Sequence, residues 1–145
     1  MDGWYLKKCN MITKENYCDY ETCVALKKLG YNEKTLAYYT SEGFFHWVRA
    51  YIYDVAIPDL ANSSNKKPYK HIIDAMSLYE AQKWLREEKK MEVNATSDCL
   101  SKHSWFWYHK SLINANDDYS MPTYQTYEEA LSEGIKEAVK ILKEE

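Results

Sequence analysis

Four histidines, four cysteines and a run of tryptophans are the residues of this chain with chemistry to offer. His103 and His109 fall in the run HSWFWYHK, and two imidazoles on one strand face suggest a pair of metal ligands. Their spacing argues against it. Six residues of extended chain span ~20 Å, too far to share one ion unless the strand bends. No spacing ties His46 or His71 to either of them. The residues therefore imply no metal and no cofactor, with His103 and His109 as the polar ends of a tryptophan-bearing strand.

Cys9, Cys18, Cys23 and Cys99 contain no CxxC pair. With a histidine, Cys18, Cys23 or Cys99 could form a nucleophile and base, but there is no nucleophile elbow. Only 4 glycines are available to build an oxyanion hole. A buried free cysteine is more often a small hydrophobe than a nucleophile. No glycine-rich phosphate cradle is present, and Glu87-Glu88 and Asp117-Asp118 read as solvated pairs. The chain reads as non-enzymatic, with a Cys–His pair brought together only by folding as the enzymatic alternative.

Binding chemistry is better supplied. The chain has 14 Tyr and 5 Trp, residues whose apolar bodies and polar tips suit strands, interfaces and ring-stacking sites. Trp105, Trp107 and Tyr108 on the last strand, and Lys66, Lys67 and Lys70 in a long loop, are the candidate binding residues. A tyrosine-rich sheet packed under helices is the simpler explanation of the aromatics. A platform for stacking bases, served by the loop lysines, is the other. A net charge of -3, with basic residues interleaved among acids, argues against a general polyanion binder.

The elements that must position these residues centre on Met76 to Ala95. Ser77 with Glu80 is a capping box, Met76 and Ala81 a hydrophobic staple, and Leu78, Ala81, Trp84 and Leu85 one helical face. From Met91 the period becomes two, with Met91, Val93 and Ala95 on the dry side of a strand. Upstream, a helix spans Tyr20 to Leu29 and ends at Gly30, which tolerates the left-handed conformation, with Tyr31 closing a hydrophobic contact. Thr35 to Thr40 reads as a strand and Ser41-Glu42-Gly43 as a turn. Residues 44–55 alternate as a second hairpin arm, although a helix through Phe45 to Tyr53 also satisfies the period. Pro58 to Lys70 is a long loop, read as a mobile tether, with a functional loop as the alternative. A turn around Ser97 to Lys102 leads to the strand from His103 to Lys110, and Asn114 to Thr123 is a second long loop. Thr126 with Glu129 caps a final helix whose stripe is Tyr127, Ala130, Leu131, Ile135, Ala138 and Leu142.

The order is α-β-β-α-β-β-α, which predicts an α+β fold with a four-stranded, mainly antiparallel sheet and helices on one face. At 145 residues one domain is the expectation, 1–145, with an irregular N-terminal arm over about 1–18 and the loop at 58–70. Hydrophobic residues at 46% and charged residues at 28% mark a globular chain. MDGWYLKKCNMI has no apolar core of a signal peptide, and no run approaches the ~18 apolar residues of a membrane span. The expected location is cytoplasmic with reduced thiols, where the acceptor-like tripeptides at Asn62 and Asn94 carry no meaning.

Lys83-Trp84-Leu85-Arg86-Glu87, the tryptophan-rich strand, and Tyr127-Glu128-Glu129-Ala130-Leu131 with Gly134 and Glu137-Ala138-Val139-Lys140 form a pattern. It resembles the short uncharacterised proteins of Bacteroides-type genomes and their prophages, in which a KWLRE-like helix leads to a strand and a YEEAL…EALK-like helix closes the chain. The resemblance spans much of residues 20 to 142 and leaves the loop from Pro58 to Lys70 without a counterpart. It implies a habitat and transfers no catalytic residue. The expected function is that of a phage- or mobile-element-type accessory protein, monomer or homodimer, binding a partner protein. A single-stranded nucleic-acid binder is the alternative.

Overall fold

A computed structural model describes residues 14–47, 72–97, 104–114 and 117–144. The chain divides into two compact units, Met1–Ser77 and Leu78–Glu145. The fold is α+β with three α-helices and two three-stranded antiparallel sheets among the described residues. The expected single four-stranded sheet is therefore corrected, and so is the element order. Each sheet gains a strand of three residues, too short to show an alternation in sequence.

In the first unit, a 3-10 turn at Lys14–Asn16 precedes α1 (Tyr20–Lys28). The Asp19 carboxylate accepts the Thr22 N–H at 2.9 Å and so caps the helix. At the other end Gly30 has φ 112, Tyr31 N–H donates to Leu26 O at 3.0 Å and Gly30 N–H to Lys27 O at 3.1 Å. That is the left-handed glycine ending expected, and Tyr31 is buried behind it. Strands β1 (Ala37–Tyr39), β2 (Phe45–Trp47) and β3 (Ile73–Ala75) lie in the order β2-β1-β3. The hairpin turns at Gly43, φ 87, where Gly43 N–H donates to Thr40 O at 2.9 Å. Within the described residues the expected second arm is a strand over Phe45–Trp47; 48–55 lie outside them.

Tyr39 is the hub of this unit's core. Its ring meets Tyr20 at 5.7 Å and Phe45 at 5.4 Å, both edge-to-face, and its hydroxyl donates to Cys18 O at 2.6 Å. Burial, with nearby Cys23, Cys18 and Asp19, pushes the Tyr39 phenol well above its ordinary range. Tyr17 pairs with Ser77 in an isolated bridge, and Cys18 N–H donates to Met76 O at 3.0 Å. The described end of the N-terminal arm is thereby sewn to the segment after β3.

In the second unit, α2 (Leu78–Glu88) runs into β4 (Met91–Ser97). Leu78, Ala81, Trp84 and Leu85 are its buried residues, the face read from spacing. Lys90 joins helix to strand at φ 55, a conformation that L side chains rarely adopt. Strands β5 (Trp105–Ser111) and β6 (Asp117–Tyr119) complete the order β4-β5-β6. The expected loop from Asn114 to Thr123 thus contains a strand. Its sequence, Asp-Asp-Tyr, is turn-like and gives no strand signal.

The last helix, α3 (Tyr127–Glu144), packs on β4 and β5. Thr126 Oγ1 accepts the Glu129 N–H at 3.1 Å, while Glu129 Oε2 accepts from Gln125 N–H at 3.3 Å, one residue upstream of the usual reciprocal bond. Ala130, Leu131, Gly134, Ile135, Ala138 and Val139 are buried. A β-carbon on Gly134 would stand 2.8 Å from Trp107 Cβ and 3.0 Å from Val93 Cγ1, so the helix backbone touches the sheet here. The two sheets differ in topology, with the first strand central in one and the second in the other.

Candidate functional site

Register sorts the side chains of the second sheet into two faces. Val93 pairs with His109 and Ala95 with Trp107, on the face that α3 covers; Asn94 pairs with Tyr108 and Tyr108 with Tyr119, on the other. Of the binding candidates, Trp107 is 7% exposed beneath α3 and its ring is committed to the core. Trp105 is half-buried and edge-on to Tyr127 at 5.6 Å. Tyr108 lies on the outer face, where its hydroxyl accepts from Asn94 Nδ2 at 3.3 Å. Lys66, Lys67 and Lys70 lie outside the described residues, as do His71, His103, Cys9 and Cys99.

His109 is a buried polar residue of the helix-covered face. Its ring stacks on Trp107 at 4.8 Å and its Nε2 has no hydrogen-bond partner. Burial pushes its pKa down, while Asp118 and Glu137 act in the opposite sense. The imidazole is therefore neutral at neutral pH and sits in packing. In the first unit Asp74 is equally hidden: Oδ2 accepts from Lys27 Nζ at 3.0 Å and Oδ1 has no partner. Burial raises its carboxyl pKa against the pull of Lys27. The Cys18 and Cys23 thiols are buried; Cys18 Sγ donates to Ser77 O at 4.0 Å and Cys23 Sγ to Cys18 O at 3.6 Å. His46 is exposed and stacks on Tyr38 at 5.4 Å. Among the described residues no group of three His, Cys, Asp or Glu is placed to hold a metal ion, and no helix is long and apolar enough to cross a membrane.

Besides Tyr79 and Tyr127, the large apolar side chains exposed among the described residues of the second unit fall on either side of or on one strand. Leu112 is 48% exposed, Ile113 80%, Tyr119 60% and Met121 83%. These four flank or lie on β6, the edge strand, whose three residues are all exposed. On the adjoining outer face Phe106 and Tyr108 are half-buried, with Glu92, Lys110 and Asp117 around them. Sequence reasoning singled out Tyr108 and missed the hairpin end. The signal available was the apolar pair Leu112-Ile113 next to a loop-like stretch.

The geometry suits non-covalent recognition: apolar side chains, a sheet-edge strand exposed among the described residues, and mixed charges. The chain matches no known protein-family model, no curated protein and no solved structure.

Proposed function

We propose that this protein is an accessory protein that binds a partner protein through the β5–β6 hairpin and the outer face of its second sheet. The observation that carries the reading is the run of exposed apolar residues Leu112, Ile113, Tyr119 and Met121. Among the described residues they are four of the eight large hydrophobics that are exposed. Leu112 and Ile113 stand at the turn end of the hairpin and Met121 follows β6 level with Phe106, so the four are spread along one hairpin, and apolar residues exposed along one element mark interaction surfaces. Tyr108 and Phe106 extend the apolar area, and Lys110 and Asp117 give it a polar rim. The resemblance of the KWLRE-like and YEEAL-like helices supports a phage or mobile-element setting.

Co-purification tests this reading. Tagged protein from its producing cells is expected to retain a partner in fixed ratio, and the double variant Ile113→Glu, Tyr119→Glu to lose it while remaining folded. An identical composition for both proteins would overturn the assignment of this surface.

A further inference from the structure

The two edges of the second sheet are finished differently. On β4, Val93 O accepts from Gln82 Nε2 at 2.7 Å, so a side chain of α2 covers that edge. On β6, among the described residues, no side chain of another element does so. Ser120 N–H donates to Trp107 O at 2.9 Å and Trp107 N–H donates to Ser120 Oγ at 3.2 Å, so the Trp107 peptide groups face the β6 side. Alternation along the ladder then makes Tyr108–Tyr119 and Lys110–Asp117 the non-bonded pairs, and the peptide groups of Asp117 and Tyr119 point away from β5.

Of these outward groups, Tyr119 N–H meets its neighbour's Asp118 Oδ1 at 2.8 Å. The Asp117 N–H and C=O and the Tyr119 C=O have no protein partner among the described residues. An unpaired edge is a template for another strand. This one is short and carries two carboxylates, which selects its occupant. A second copy fully overlapped on β6 in the antiparallel sense would set Asp118 directly opposite Asp118, an unfavourable like-charge pair.

We propose that β6 accepts an extended segment of the partner protein, bearing lysine or arginine among apolar residues, as a fourth strand of this sheet. This rests on the proposed function and specifies how the partner is held. An incoming carbonyl takes the Tyr119 N–H from Asp118, and a cation on the incoming segment takes the released carboxylate. Tyr119 and Met121 supply apolar contact alongside.

The test uses the whole protein and a synthetic peptide of about ten residues alternating lysine with valine, with a glutamate-for-lysine control. Heteronuclear NMR reads the amide resonances. The lysine peptide is expected to move the Asp117 and Tyr119 amides and slow their exchange with solvent, and the glutamate peptide to leave them unchanged. Asp117→Pro removes an outward N–H that the ladder to β5 does not use and is expected to weaken binding about tenfold. Asp118→Asn, which keeps the side-chain acceptor, is expected to weaken it roughly threefold. Equal response to both peptides, response only at Phe106 and Tyr108, or no response overturns strand addition. In each of those cases co-purification still decides the proposed function separately, since loss of the partner in the Ile113→Glu, Tyr119→Glu variant does not depend on a paired edge.

Discussion

Gly134 on α3 lies against Trp107 on β5 so closely that a β-carbon at position 134 would stand 2.8 Å from Trp107 Cβ. The contact sets how near the helix comes to the sheet, and with it the burial of Trp107 and the placing of His109 beside it. Trp107, conspicuous in sequence, is thereby held in the core.

Gly134→Ala is expected to destabilise the protein although alanine is the better helix former. Helix propensity favours the change by about 1 kcal/mol. Overpacking against a backbone-proximal Cβ and Val93 Cγ1 costs about 1–3 kcal/mol before that gain, and here the clash is at the severe end. Denaturant unfolding should show a net loss of about 1–2 kcal/mol at unchanged slope. A stabilised variant would mean that α3 sits farther from the sheet.

Lys90→Gly is expected to act the other way. Lys90 holds φ 55 between α2 and β4, and a left-handed non-glycine residue costs about 1–2 kcal/mol. Glycine relieves that strain at an entropic cost of about 0.5–1 kcal/mol, and forfeits the Lys90 Nζ bond to Glu87 O at 2.7 Å. That bond is exposed and weak. A small rise in thermal midpoint is the expected readout, and a fall would show that the side chain matters more than the backbone.

Two buried titratable groups, His109 and Asp74, pull stability in opposite directions with pH. Burial lowers the His109 pKa below its ordinary 6.5, so on acidification the unfolded chain takes up a proton that the folded chain resists. Stability is expected to fall as pH drops below about 6.5, and His109→Gln to flatten that fall. For Asp74, burial raises the pKa above 3.8 and the folded chain holds its proton longer. Its contribution is full below about 3.8 and is lost as pH rises through the raised value, a trend that Asp74→Asn should abolish. Urea midpoints measured across this range separate the two, and unchanged profiles in both variants would contradict the burial argument.

Most of the regular elements were legible because each carries its own local signal. Asp19 and Gly30 bracket α1, the face of Leu78, Ala81, Trp84 and Leu85 defines α2, and the spacing of two from Met91 defines β4. β3 and β6 were not legible. Three residues cannot display a period, and Asp117-Asp118-Tyr119 becomes a strand only because the neighbouring β5 offers a ladder. Missing them turned two sheets into one. The candidate surface was read in part: alternation placed Tyr108 opposite Trp107, but which face α3 would cover depended on Gly134, whose effect is tertiary.

Nucleic-acid binding is expected to be absent at this surface. Burial takes Trp107 out of any stacking platform, and the outer face sets Glu92 and Asp117 beside Tyr108 and Tyr119. Titration of tryptophan fluorescence with a single-stranded oligonucleotide at low salt should be flat. Saturable quenching that weakens steeply with salt would restore the stacking alternative.

Site-specific photo-cross-linking in the producing cells tests partner binding through the hairpin most directly. A photoreactive residue at Ile113 or Tyr119 is expected to capture a heterologous protein, and the same residue at exposed Lys83 on α2 to capture none. Cross-links at Lys83 but not at Ile113 or Tyr119, or none at any of the three, would contradict the account.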